Sequence, residues 1–285
     1  MKEDMINMIK IDELKCEYLE NPLGIDVKSP RLSWILKSKI KGQKQTAYRI
    51  LAASNIGLIN QDHGDLWDSG KIDSNESVNI PYNGVALKKC MEVYWKVKIW
   101  DMNHKESEWS ENAYWTMGLL SDSDWQANWI GLPRKRRIRL RNKSIKVHHE
   151  PCPLLRKQFH VKQKIKKAFL YISALGEYIV YLNGQRVGKQ QLAPEWTDYY
   201  TRVQYQTYDV AKHLKKGDNV IGVTLADGWF MGNLGPGNPL KHTFYGRNRR
   251  LIAQLHIYYD NDAEVVITNE SWKILSDGPI QMADH

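Results

Sequence analysis

The chain has 285 residues, of which 42% are hydrophobic and 26% are charged, and its formal net charge at pH 7 is +9. This apolar content supports a packed core and excludes wholesale disorder, and the length predicts two domains of about 100–150 residues each. No apolar run approaches the roughly 20 residues of a membrane-spanning helix, and the amino terminus lacks the pattern of a secretory signal, so the sequence predicts a cytoplasmic protein without membrane contact.

The first block of the chain predicts an antiparallel β-sandwich. Strands are predicted over residues 48–52 and 93–100, and the second of these alternates strictly between two faces. Short strands separated by recurring turn signals, with helical periodicity essentially missing, are typical of a sandwich. The residues predicted to share one face of the second strand are Val93, Trp95, Val97 and Ile99.

Residues 119–152 are predicted to form a linker that carries a basic insertion. Residues 134–146 hold eight basic residues and no acidic one, which leaves 33 Lys and Arg against 32 Asp and Glu in the rest of the chain. The charge is therefore local. Like charges at this density repel one another and favour a solvated loop, and no aromatic residue interleaves them to stack on bases. Nucleic-acid binding through residues 134–146, or a tether to an acidic surface, is the alternative.

After the linker the chain again predicts strands in close succession. Asn183-Gly184 lies between two strand patterns and predicts a hairpin with a type I′ turn, because that turn needs positive φ at both central residues. Asp209 is predicted to cap a short helix over residues 210–216 that Gly217 ends. The strands are predicted over residues 154–159, 167–173, 177–182, 203–208, 220–225, 251–259 and 264–268.

Four stretches of this second block, taken in order, resemble a known family. They are residues 173–188 (SALGEYIVYLNGQRVG), 192–199 (LAPEWTDY), 203–210 (VQYQTYDV) and 219–230 (NVIGVTLADGWF). In this order and spacing they resemble the amino-terminal jelly-roll module of bacterial α-L-rhamnosidases, glycoside hydrolase family 78.

Motifs of the first block resemble the fibronectin-III-like domain that precedes this module. They are residues 21–26 (NPLGID), 30–34 (PRLSW), 45–50 (QTAYRI), 66–70 (LWDSG), 109–110 (WS) and 114–118 (YWTMG). The resemblance implies an all-β chain of two antiparallel β-sandwich domains. Its predicted parts are a fibronectin-III/Ig-like sandwich over residues 11–118, the linker over 119–152 and a jelly-roll domain over 153–285.

The resemblance also bears on activity. In that family an (α/α)6 barrel carries the catalytic residues and hydrolyses the rhamnoside with inversion. Since this sequence has no long helical pattern, we expect a non-catalytic amino-terminal piece of a rhamnosidase-like enzyme. It would position or bind a rhamnose-containing oligosaccharide or glycoside and support the remainder of the parent enzyme. The alternative is a stand-alone carbohydrate-binding module.

A sugar site needs a flat ring face together with amide or carboxylate groups for the hydroxyls. Residues of this kind fall in loops or at strand ends of the second block, where binding residues tend to lie. The alternative is that Asn183 only makes the turn while Trp196 and Trp229 pack against the sandwich. The candidates are Asn183, Trp196, Asp198, Tyr199, Asp227, Trp229 and Asn233.

No cofactor is predicted. Some members of the family bind rhamnose with a calcium ion through an Asp-Asn pair at the hairpin turn. At the matching place this sequence has Leu182-Asn183, so the first carboxylate ligand is missing. Residues 148–152 (HHEPC) offer metal-ligand types, but no second cluster completes a zinc site.

No catalytic residue is predicted either. Inverting glycosidases need two carboxyl groups about 6.5–9.5 Å apart, one as acid and one as base. Glu195, Asp198 and Asp227 lie near aromatic residues, yet among 32 acidic residues some pair meets that distance by chance. We expect Asp198 and Asp227 to shape turns or bind sugar hydroxyls. Residues 228–237 are glycine-rich without a phosphate-loop pattern, and the three widely spaced cysteines predict no disulfide framework.

Overall fold

The computed structural model describes residues 9–132, 151–232, 244–281 and 283. Within these ranges the chain divides into two compact units, Met1–Asp124 and Trp125–His285. Every strand pairing within the sheets is antiparallel. The predicted fold class, two antiparallel β-sandwiches, is confirmed. Among the described residues, no helix is both long and apolar enough to span a membrane.

The first unit packs a sheet of order β1-β2-β6 with a sheet of order β4-β3-β7-β8, in which β5 also pairs with β3. It also contains a short helix, Ile56–Asn60, and a 3-10 turn, Asp122–Asp124. Its strands are β1 (Lys10–Cys16), β2 (Arg31–Lys37), β3 (Gln45–Ala53), β4 (Trp67–Asp68), β5 (Ile72–Asp73), β6 (Ile80–Pro81), β7 (Glu92–Asp101) and β8 (Ala113–Thr116).

The second unit packs a sheet of order β13-β10-β15-β16 with a sheet of order β12-β11-β14-β9-β17. Its helices are a 3-10 turn at Ala211–His213 and a single turn at Gly228–Met231. Its strands are β9 (Leu154–Val161), β10 (Lys167–Leu175), β11 (Glu177–Leu182), β12 (Gln185–Arg186), β13 (Gln206–Asp209), β14 (Gly217–Ala226), β15 (Arg250–Tyr258), β16 (Ala263–Ile267) and β17 (Lys273–Leu275).

Tryptophan fills the core of the first unit. Trp34, Trp95 and Trp115 are all buried, and the rings of Trp95 and Trp115 meet edge to face at 6.5 Å between centroids. The predicted alternation of β7 is confirmed, since Val93, Trp95, Val97 and Ile99 are buried together. Burial of aromatic surface supplies most of the hydrophobic stabilisation in such a core.

The hairpin after β11 is confirmed, whereas the predicted helix over residues 210–216 is wrong. Asn183 and Gly184 have φ of 51° and 83°, as a type I′ turn requires. The helix is reduced to the 3-10 turn Ala211–His213, because β14 begins at Gly217 and the Asn219 side chain bonds both the N–H and the carbonyl of Lys215. The Asp209 carboxylate still accepts from Ala211 N, at 3.1 Å.

Part of the predicted linker belongs to the second unit. Asn128 N donates to Thr268 O at 2.8 Å, and Ile130 pairs with Leu251 at the start of β15. The basic segment 134–146 lies outside the described residues, as do His148, His149 and Glu150. The three cysteines are free thiols.

Lys96 breaks the inside–outside pattern of β7. Its ammonium group is buried under the helix Ile56–Asn60, where Nζ donates to Ile59 O at 2.6 Å and pairs with the carboxylate of Asp62. The Trp109 ring centroid lies 5.1 Å from Nζ. The hydrogen bond from the Lys96 ammonium holds the pKa of the Asp62 carboxyl below its usual value.

Lys96→Ala should lower the free energy of unfolding of the first unit by about 2–4 kcal/mol, because the Ile59 carbonyl loses one of its two donors, the ion pair with Asp62 is lost and the buried aliphatic stem is removed. Lys96→Met keeps the stem and should cost less. A carboxyl whose folded pKa is lowered stabilises above its unfolded pKa of about 3.9 and loses that contribution as pH falls through the folded value. Calorimetric melting at pH 7 and pH 3 should therefore separate Lys96→Met from wild type more at pH 7. An equal difference at both values would contradict the ion pair's contribution.

Candidate functional site

The predicted site residues fall at opposite ends of β11. Asn183 follows the last residue of this strand. At the other end, Glu177 pairs with Ala226, so that Asp227 comes directly after the pairing ends. Six residues of strand separate the two ends by about 20 Å. One sugar ring cannot contact both Asn183 and Asp227, and Asn233 lies outside the described residues.

Aromatic side chains gather at the Asp227 end. The Tyr199 ring meets Phe230 at 5.3 Å and Tyr245 at 5.0 Å between centroids, and Tyr200 meets Tyr245 at 5.1 Å. The Tyr200 hydroxyl donates to Phe244 O at 3.0 Å. The loop after Ala193 and the segment before β15 are thus joined by ring packing and one hydrogen bond.

Three rings of this region are open to solvent. Tyr200 is 71% exposed, Trp196 in the same loop is 55% exposed, and Phe244 is 52% exposed. We call these three residues the aromatic surface. Beneath it, burial together with the nearby charge of Glu177 raises the pKa of Tyr199 to about 12, so its hydroxyl stays protonated and donates to Glu195 O at 3.3 Å.

Asp198 shapes the loop that carries the aromatic surface. One carboxylate oxygen accepts from Tyr200 N at 3.2 Å, and the other accepts from the Thr201 hydroxyl at 2.8 Å. Its carbonyl accepts from the N–H groups of Thr201 and Arg202. Such local side-chain bonds hold a turn closed, so Asp198 acts here as a positioning residue for Tyr200.

Asp227 is buried in a charged cluster. Its carboxylate lies 3.3 Å from Arg249 Nε, and both side chains are buried. The Glu177 side chain, also buried, crosses Gly228, where an added Cβ would lie 2.5 Å from Glu177 Cγ. Gly228 has φ of 49°, a second reason for glycine there. The Asp227 carboxylate is thus held within this buried cluster by its pairing with Arg249. The nearby Trp229 is half-buried.

The Asn183 side chain is committed to the fold. Its amide nitrogen donates to His213 O at 2.9 Å and to Asn219 Oδ1 at 2.8 Å, and its amide oxygen accepts from Val220 N at 3.0 Å. Leu182, at the place of the missing calcium ligand, is buried in the core. In the described ranges, no group of three or more His, Cys, Asp or Glu residues is arranged to hold a metal ion.

Sequence reasoning missed Tyr200, Phe244 and Tyr245. The only local signal was the tandem Tyr199-Tyr200, since the partner rings lie some 45 residues further along the chain. Their contact depends on how the loops of two sheets meet, which no periodicity encodes.

Two family models match the chain. An α-L-rhamnosidase N-terminal domain matches residues 163–285, and an Rha78A-like N-terminal immunoglobulin domain matches residues 11–121. A protein named alpha-L-rhamnosidase from Alteromonas sp. (strain LOR) is 38% identical, over 93% of this chain and 28% of the relative. Another of that name, from Formosa agariphila, is 33% identical, over 95% of this chain and 30% of the relative.

Solved structures agree with these matches. The alpha-L-rhamnosidase from Dictyoglumus thermophilum has a TM-score of 0.82 and 36% identity, over 95% of this chain and 30% of that one. The Streptomyces avermitilis alpha-L-rhamnosidase, complexed with L-rhamnose, has a TM-score of 0.86 at 24% identity, over 97% of this chain and 42% of that one, and shows the shared fold. The chain spans about three-tenths of the length of the curated relatives above.

Removing the Asn183 amide should destabilise the second unit. Asn183→Gly loses three side-chain hydrogen bonds but tolerates positive φ, so we expect a loss of about 1.5–4 kcal/mol in the free energy of unfolding. Asn183→Ala adds the strain of a left-handed residue, a further 1–2 kcal/mol or so. Urea unfolding monitored by circular dichroism measures both losses. Unchanged stability of Asn183→Gly would show that the three bonds contribute nothing.

Proposed function

Because the chain belongs to the amino-terminal region of the α-L-rhamnosidase family, glycoside hydrolase family 78, we propose that its second unit binds a rhamnose-containing glycoside through the aromatic surface. The second unit thereby holds that glycoside, and the chain supports the catalytic part of the parent enzyme. The proposed binding residues are Trp196 and Tyr200, with Tyr199 and Asp198 positioning them.

The observation that carries this proposal is the exposure of the aromatic surface. Large aromatic side chains usually bury most of their area, and exposed rings grouped in one place mark an interaction site. Ring packing between Tyr200, Phe244 and Tyr245, with centroids 4.9–6.2 Å apart, holds two of the three exposed rings, Tyr200 and Phe244, in place before any ligand arrives. Trp196 lies four residues before Tyr200 in the same loop. A preorganised surface costs little ordering entropy on binding.

Sugar chemistry matches such a surface. L-Rhamnose is a 6-deoxy sugar, so its methyl group and ring C–H bonds form an apolar face that stacks on aromatic rings. Its hydroxyls need polar partners, and the phenolic groups of tyrosine provide them at the edge of the same surface. The Tyr200 hydroxyl, which donates to Phe244 O at 3.0 Å, keeps its oxygen lone pairs as acceptors.

The proposal assigns no catalytic step to the described residues. The longest helix among them is the five-residue helix Ile56–Asn60, whereas the family resemblance places hydrolysis in a helical barrel. The carboxylates of Asp198 and Asp227 are held in a turn and in a buried ion pair. A stand-alone carbohydrate-binding module would use the same aromatic surface. Such a module and an accessory region of a larger enzyme would both bind the sugar without hydrolysing it. The alternative of nucleic-acid binding concerns residues 134–146, which lie outside the described ranges.

L-Rhamnose or methyl α-L-rhamnoside should bind saturably in the millimolar range. Trp196→Ala and Tyr200→Ala should each weaken binding about threefold to tenfold, as loss of one stacking ring predicts. Tyr181→Ala, which removes another exposed ring on β11 of the same unit, is the matched control and should leave affinity unchanged. Titration by calorimetry or NMR, with and without calcium, measures this. Flat titrations of wild type under both conditions would refute the proposal.

The purified chain should not hydrolyse 4-nitrophenyl α-L-rhamnoside above the rate in buffer. The reason is that the carboxylates of Asp198 and Asp227 are held in a turn and in a buried ion pair. Absorbance of released 4-nitrophenolate gives the rate. Release that follows the protein through purification and disappears in Asp198→Asn or Asp227→Asn would overturn the non-catalytic assignment.

A further inference from the structure

A cleft of about 550 Å³ opens in the second unit, and none of its lining residues belongs to the aromatic surface. One wall is the segment Asn128–Gly131. It pairs with β15 through the bridge between Ile130 and Leu251, on the side of β15 that β16 also occupies. The other wall is the stretch from Asn269 to Ile274, which enters β17. The cleft thus lies at the open edge of the jelly roll, on the side of the edge strands β16 and β17 of its two sheets.

The lining combines one exposed ring with polar groups around an apolar floor. Trp129 is 42% exposed at the mouth. Trp272 is buried and its indole N–H donates to Ile267 O at 2.8 Å, so it serves as floor together with Ile130 and Ile274. The polar lining residues are Asn128, Asn269, Glu270 and Arg250.

The wall beside Trp129 is rigidly held. Asn128 N donates to Thr268 O at 2.8 Å, and its carbonyl accepts from the Thr268 hydroxyl at 2.7 Å. These main-chain bonds hold the segment without using the Asn128 side-chain amide. At Gly131 an added Cβ would lie 2.4 Å from Arg249 O, so only glycine allows the segment to approach β15 this closely.

We infer that this cleft is a second carbohydrate subsite, which takes a neutral pyranose ring stacked on Trp129. The inference rests on the proposed function, since the ring comes from the same class of glycoside. Clefts of this size that combine apolar walls with a few fixed polar groups are typical of small-ligand sites. The Asn128 amide and the Arg250 guanidinium supply donors for ring hydroxyls, and Glu270 supplies acceptors.

The charges of the cleft lining favour a neutral sugar over an anionic one. Arg250 and Glu270 contribute one positive and one negative group to the lining, so the cleft carries no net charge. A uronic acid or a sulfated sugar would gain attraction from Arg250 and meet repulsion from Glu270. Both side chains bind paired hydroxyls of a neutral ring without that conflict.

The test follows the indole N–H resonances of the 11 tryptophans in ¹⁵N-labelled protein during titration with a rhamnosyl-glucose disaccharide. Trp129→Ala and Trp196→Ala identify the two resonances by their loss. We expect the Trp129 resonance to shift saturably. Asn128→Ala should raise the dissociation constant read at Trp129 at least fivefold and leave the one read at Trp196 unchanged. Tyr181→Ala, the matched control, should change neither.

The outcomes separate the two sites. A shift at Trp196 without one at Trp129 overturns this inference and leaves the proposed function standing. A shift at Trp129 alone supports the cleft and refutes binding at the aromatic surface. No shift at either resonance overturns both. Tighter binding of glucuronic acid than of the neutral disaccharide at Trp129 would overturn the assignment to a neutral ring.

Discussion

The register of β11 against β14 determines what each end of the jelly roll presents. Pairing of Leu182 with Ile221 brings the hairpin turn beside Val220, and pairing of Glu177 with Ala226 places Asp227 at the opposite end. A slip by one residue would turn every side chain of β11 to the other face and expose its apolar set. Both the structural tie at Asn183 and the charged cluster around Asp227 therefore depend on one strand pairing.

The polar side chains that the sequence suggests for sugar binding instead make hydrogen bonds and an ion pair within the fold. Asn183 ties a hairpin to the start of β14, Asp198 closes a turn, and Asp227 pairs with Arg249 in the interior. Among the large hydrophobic side chains described in the second unit, the rings of Tyr200 and Trp196 are the most exposed. Recognition built on ring faces tolerates several orientations of a sugar, whereas buried hydrogen bonds select one. We therefore expect modest affinity and breadth among rhamnose-containing ligands.

Local pattern predicted the fold well, and long-range contact explains what it missed. The alternation of β7 and the Asn183-Gly184 turn each depend on residues that are adjacent in the sequence, so both could be predicted from it. The burial of Lys96 could not, because it depends on a helix some 40 residues earlier that covers the outer face of the strand. The packing of Tyr199 on Tyr245 is likewise set by how the loops of the unit meet. A site made of loops is the part of a β-sandwich that sequence describes least.

The chain is anchored on both sides of residues 133–150. Ile130 is paired with Leu251 just before this stretch, and after it Cys152 N donates to Ile280 O while the Pro153 carbonyl accepts from Leu225 N. Closing a longer connection between two fixed points costs only about 0.6 kcal/mol for each doubling of its length. The connection across residues 133–150 can therefore be lengthened with little change in the free energy of unfolding of the sandwich around it.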